Sequence, residues 1–166
     1  MTFEPIIQIQ PAWTLVCGRF GVHFFEGDLS VADMDQMQRE GDAWFGRHRD
    51  RIVELVVILP SRSVMSTEER RRMIGLIKHW EDHRVAAATV ILAEGLLGAM
   101  HRSVLTGLLM LAPPPHPAKV FGDVAEAVTW LQPHVRSVCP EAVSARVVLD
   151  AVRKLEAAFR ARGIRA

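Results

Sequence analysis

The run Ile52–Leu59 is apolar at every position except Glu54, and this feature restricts the fold more than any other. A strand with one solvated face alternates apolar and polar residues, whereas a strand covered on both faces reads as a continuous apolar stretch. Residues 86–93 have the same character. Two such runs with a helical pattern between them point to an α/β fold, in which central parallel strands are covered by helices.

The flanking segments extend this order. Residues 13–17 and 21–26 form two extended stretches separated by Gly18, Arg19 and Phe20; Phe20, Val22 and Phe24 alternate with His23 and Phe25, so at least one face of that strand is buried. Residues 3–10 alternate Ile7 and Ile9 with Gln8 and Gln10, which adds an edge strand. Asp28 or Ser30 can cap the next helix, whose inward positions are Met34, Met37, Gly41, Trp44, Phe45 and His48. Ser66 and Glu69 have capping-box spacing. The helix they open carries Met73, Ile74, Ile77 and Trp80 as its stripe, with Arg70, Arg71 and Arg72 starting its wet side. Residues 96–111 are apolar almost all round and read as a largely buried helix, closed by Pro113, Pro114 and Pro115. Residues 119–121 make a short last strand, and 123–134 a helix with Val124, Ala127, Val128 and Leu131 inward. Strands and helices in this order predict an open, mixed sheet of four to six strands with helices packed on it.

Beyond His134 the pattern changes. Pro140 and Glu141 suit the first turn of a further helix, Val148, Val152, Leu155 and Phe159 form its stripe, and Gly163 is placed to end it. From Pro140 onward six Lys and Arg face three acids, an excess of +3. This stripe can fold back on its own domain or pack on a second copy or partner, and it is the candidate interaction helix. Residues 1–135 are thus expected to form the α/β domain and residues 136–166 an extra C-terminal helical extension of it.

Composition narrows the class. A chain of 166 residues fits one domain, and 49% hydrophobic residues with a mean hydropathy of +0.14 can fill its core. Twenty Lys and Arg against 19 acids, net +1, provide no basic field for nucleic acid. Cys17 and Cys139 cannot build a disulfide framework and fit a reducing compartment. The first residues lack the basic start and apolar core of a signal peptide. The uncharged tract 103–115, bounded by His101 and Arg102, is shorter than the ~18 apolar residues a membrane helix needs. A soluble, cytoplasmic protein with no membrane partner is expected.

Two stretches carry a family resemblance. Val22, His23, Phe24, Phe25, Glu26, Gly27, Asp28, Leu29 and Ser30, followed by a helix, resemble the strand, Gly-x-Leu-Ser/Thr, helix opening of STAS-type domains, the SpoIIAA-like anti-sigma-factor antagonists. The segment from Val120 to Leu131, a short strand leading into a helix that ends Trp130-Leu131, is similar to their closing segment. The resemblance covers roughly residues 14–131 and implies a SpoIIAA-like mixed sheet. Members place a phosphorylatable serine, in an Asp-Ser-Ser/Thr-Gly setting, between a central strand and the next helix. The matching stretch here runs from Pro60 to Ser66; it has serines but neither the Asp nor the Gly. Some SpoIIAA-like relatives also resemble lipid-carrier folds, which implies an apolar pocket as another possibility.

The candidate site residues follow from both lines. Ser61, Ser63 and Ser66 precede a helix N-terminus, where free amides favour an anion, and Arg62 would pair with an added phosphate; the simpler reading makes Ser66 a cap and the others loop residues. Arg102 interrupts an apolar helix and must reach solvent, an acid such as Glu94, or a ligand. Glu94 follows a parallel strand, at the strand ends where open α/β sheets bind ligands. His79 and His83 are four apart, but Trp80 stands where the zinc-protease motif has its acid and no third ligand follows, so no metal site is assigned. There is no Gly-x-Ser-x-Gly, no Cys-x-x-Cys, no phosphate-cradling glycine loop and no Tyr. No catalytic residue or cofactor is assigned. The expectation is a non-enzymatic, STAS-like regulatory or protein-interaction module of bacterial type, with a protein partner or a homodimer. The alternative is a carrier or sensor of a small apolar or amphipathic ligand held beside Arg102.

Overall fold

The apolar run Ile52–Leu59 lies where its pattern places it, inside a sheet with a parallel neighbour on each side. The computed structural model describes residues 2–9, 11–26, 29–48, 50–59, 66–93, 95–111, 113–138 and 144–163. They form β1 (Glu4–Ile9), β2 (Ala12–Cys17), β3 (Phe20–Glu26), α1 (Val31–Arg47), β4 (Ile52–Leu59), α2 (Thr67–His79), a 3-10 turn at Glu81–His83, β5 (Arg84–Ile91), α3 (Gly95–Leu111), β6 (Ala118–Phe121), α4 (Val124–Val138) and α5 (Ala145–Gly163).

The sheet follows sequence order, β1 to β6, antiparallel through β3 and parallel from β3 onward. Each crossover steps to the next strand in the same direction, so the right-handed rule puts α1, α2 and α3 on one face. Helices α4 and α5 cover the other. Phe20, Val22 and Phe24 of β3, Val53, Leu55 and Val57 of β4, and Ala86, Ala88 and Val90 of β5 meet Ala127, Val128 and Leu131 of α4 there.

Helix α5 completes the same core. Val148, Val152 and Phe159 are buried, and Leu155 packs against them partly buried. The Phe159 ring stands edge-on to Trp13 at 5.3 Å and stacks over Phe24 at 5.9 Å. Of the two packings open to this stripe, folding back on its own domain is the one observed, because α4 alone leaves the β2 and β3 side of this face uncovered. The domain boundary expected at residue 135 falls within α4, which continues to Val138.

On the opposite face, Ile7 of β1, Met34 and Met37 of α1, and Leu76 and Trp80 of the α2 region form a second core. Ser30 and Ser66 cap their helices through complete capping boxes with Asp33 and Glu69. The α2 stripe is rotated from the expected one: Leu76 is buried, while Ile74 and Ile77 are 56% and 51% exposed. The cause is that α2 rests on α1. Arg72, expected on the wet side, reaches across to Asp35 at 2.7 Å and Gln38 at 2.6 Å, fixing that rotation.

Candidate functional site

Helix α3 departs most from its sequence pattern. A helix this apolar is expected to be largely buried, yet Leu96 is 88% exposed, Met110 79% and Leu111 85%, with Met100 and Val104 more than half exposed. The reason is geometric. Seventeen helical residues span ~25 Å, whereas α3 lies over the sheet edge formed by β6, whose four residues extend ~13 Å. A short edge strand cannot cover so long a helix.

What seats α3 is local. Gly95 opens the helix with φ +64°, a conformation that favours glycine. A Cβ on Gly98 would fall 1.9 Å from the Ala93 carbonyl oxygen, so only glycine allows this approach to the end of β5. One turn on, Arg102 Nη1 donates to the carbonyls of Ile91 at 3.3 Å and Ala93 at 3.0 Å. Its guanidinium also lies 3.4 Å from where a Cβ on Gly122 would stand. Arg102 is thus a hook into the sheet end, and α3 has no acidic residue. The exposed positions of α3 are consequently mostly apolar, with His101, Ser103 and Thr106 among them.

A second cluster was visible in the sequence only as the interruption at Glu54. Its carboxylate is buried and pairs with Arg84, and His23 Nε2 stands 3.5 Å away, longer than a hydrogen bond. Thr14 Oγ1 and His23 Nδ1 are 2.9 Å apart, and Arg84 also donates to the Ile77 carbonyl at the end of α2. Burial by itself would raise the Glu54 pKa; the charges of Arg84 and then His23 outweigh it and bring it down to about 2. Burial, reinforced by the Arg84 charge, lowers the His116 pKa. With Glu54 and Arg84 both buried, the pair joins β4 to β5 and α2 and serves the fold.

The remaining sequence candidates are placed as follows. Ser66 is the α2 cap, its hydroxyl accepting from Glu69 N at 3.2 Å. Ser61, Arg62, Ser63 and Glu94 lie outside the described residues. His79 ends α2 and His83 lies in the 3-10 turn. His79 bonds Asp42 at 2.8 Å and His83 stacks on Phe45, so the two are not a pair. Burial pushes the Asp42 pKa up, but hydrogen bonds from Trp80 and His79 more than reverse this and lower it. Among the described residues no three His, Cys, Asp or Glu side chains group as metal ligands.

The strand ends do form a concavity. A cleft of about 330 Å³ opens beyond β5 and β6, walled by Leu92, Ala93 and Gly122, the start of α4, and side chains of α5. Arg102 sits behind its Gly122 wall.

These features define an α/β domain of the SpoIIAA-like fold. No family model matches the sequence, and no curated protein matches it. Among solved structures, the chain is similar to an uncharacterised protein of the DUF3478 family with a SpoIIAA-like fold from Shewanella loihica PV-4. The two are 18% identical with a TM-score of 0.52, and the match covers 78% of this chain and 92% of that one. Among the described residues no helix is long and apolar enough to cross a membrane.

Proposed function

We propose that this SpoIIAA-like domain is a non-enzymatic protein-interaction module that pairs with a second copy of itself through the outer face of α3. The observation that carries this reading is the exposure of Leu96, Met100, Val104, Met110 and Leu111 along one helix. Contiguous apolar surface of this kind marks docking sites on soluble proteins. A second copy fits the chemistry. The helix carries no acid and no Lys, and its one Arg is turned into the sheet end, so no Asp, Glu, Lys or Arg of one α3 is set against a like charge of the other. Gly95, Ala99, Ser103 and Gly107 recur every four residues beside Met100 and Val104, which lets two helix backbones approach closely. A two-fold pairing needs only such a self-complementary patch.

Sedimentation velocity across a wide concentration range tests this. The wild-type chain should shift toward a dimer with concentration. Val104→Asp should remain monomeric with an unchanged circular dichroism spectrum, and Lys154→Asp, on the exposed side of α5, should behave as wild type. A chain monomeric at every concentration would overturn the reading, as would a dimer indifferent to Val104→Asp or a monomer retained on phospholipid vesicles.

A further inference from the structure

The exposed apolar side chains of the molecule are not scattered. Among the described residues eight large ones are exposed: five on α3, Ile74 and Ile77 on α2, and Val147 on α5. All but Val147 thus belong to the helix layer that lies across the sheet from α4 and α5. The direction of Ile74 and Ile77 follows from how α2 is held. Arg72 bonds Asp35 and Gln38 of α1, and both His79 and the Trp80 indole bond Asp42, so this side of α2 faces α1. Ile74 and Ile77 lie roughly half a turn round from Arg72, on the opposite flank. The helices cross this face of the sheet in the order α1, α2, α3, which turns that flank toward α3.

Between these two helices the sheet is incompletely covered. Val53, Leu55 and Val57 of β4 and Ala88 and Val90 of β5 are sealed in the core beneath α4. Val56, Ile58 and Thr89 point to the other face of the same strands and are only half-buried. The molecule therefore carries an apolar ridge, α3, beside an apolar furrow floored by Val56 and Ile58 and edged by Ile74 and Ile77. Area argues that pairing uses both. A helix ~25 Å long and ~10 Å wide has a footprint of ~250 Å², whereas a stable interface takes about 800 Å² from each partner. Charge permits it as well. The basic residues of α2 beside the furrow, Arg70, Arg71 and Lys78, meet no Lys from a second copy's α3, whose one Arg is turned into its own sheet end. We infer that the pairing surface extends past α3: a two-fold axis sets the α3 ridge of each copy into the furrow of the other, against Ile74 and Ile77. This rests on the pairing through α3 proposed above and adds the part of the interface that α3 alone does not supply.

Sedimentation velocity and methyl NMR of the full chain test it. Ile74→Lys and Ile77→Lys should each weaken the dimer about tenfold or more. Lysine is a good helix former at exposed positions, so the circular dichroism spectrum should stay that of the wild type. Val147→Lys, at the exposed apolar position of α5, should dimerise as wild type. In the wild-type chain the methyl signals of Ile74, Ile77, Val56 and Ile58 should move as concentration rises, and those of Val147 should not. Should a variant fail to fold, these methyl signals decide. If Val104→Asp abolishes the dimer while both α2 variants keep wild-type affinity and the furrow methyls stay fixed, the extension is wrong and pairing through α3 stands. Equal weakening by Val147→Lys would also overturn it, and a wild-type chain that never dimerises would remove both.

Discussion

Helices α3 and α5 are of similar length and have opposite fates. Helix α5 carries charge on most of its surface and buries a single line of Val148, Val152 and Phe159 against β2 and β3. Helix α3 is apolar around its circumference, yet it leaves Leu96, Met110 and Leu111 almost wholly exposed. Apolar content decides how much a helix gains from burial; what lies beneath it decides how much it gets. Helix α5 meets a broad sheet face left open beside α4, whereas α3 meets a four-residue edge strand. One stripe with a matching surface gives α5 one orientation, whereas α3, apolar almost all round, takes its orientation from Gly98 and Arg102.

The contrast can be broken at several points. The largest effect is expected at α5: Phe159→Ala should cost about 3–5 kcal/mol in denaturant unfolding, and a loss no greater than that of a surface substitution would place α5 outside the core. Next is the opposite sheet face, through pH. The folded-state pKa of Glu54 is about 2 against an ordinary 4.5, so its contribution is complete above pH 4.5 and is lost as pH falls toward 2. A shift of that size corresponds to roughly 3 kcal/mol. The lowered pKa of His116 acts in the same direction, since charging it in acid opposes folding. Glu54→Gln should flatten the acid limb of a stability–pH curve; an unchanged limb would remove Glu54 from this role. At the seat of α3, Gly98→Ala forces a Cβ onto the Ala93 carbonyl and should cost about 1–3 kcal/mol, with exchange of the α3 amides rising first. Smallest is the outer face: Val104→Ser should alter monomer stability by less than about 0.5 kcal/mol, and a core-sized loss would mean that this face is covered within the monomer.

Much of the fold was legible because local patterns and tertiary surroundings agree. The continuous run of β4, the alternation in β3, the capping box of α2 and the inward residues of α4 read directly, as did the SpoIIAA-like opening and closing segments, whereas Ser30 was one of two cap candidates for α1. The failures share one cause. Periodicity gives the apolar face of a helix but not the extent of the surface that receives it, so α3 read as buried, and for α5 it left folding back and packing on a partner both open. In α2, Arg72 turned toward α1 and carried Leu76 inward in place of Ile77. Glu54 stood out as a charge in a buried strand, a signal of the ion pair, but its partner Arg84 lies thirty residues away and no spacing announces it. Arg102 stood out as a cation that must reach solvent, an acid or a ligand; that its partners are backbone carbonyls depends on the close seat of Gly98, which sequence does not convey.

Hydrogen–deuterium exchange followed as a function of protein concentration addresses the two helices together. Amides of α5 should be protected to the same degree in dilute and concentrated solution, because their cover is the sheet of their own chain. Amides of α3 should exchange readily when dilute and gain protection as concentration rises and a second copy covers the outer face. If α3 is as protected as α5 in dilute solution, or gains no protection at any concentration, the assignment of α3 as the pairing surface is wrong.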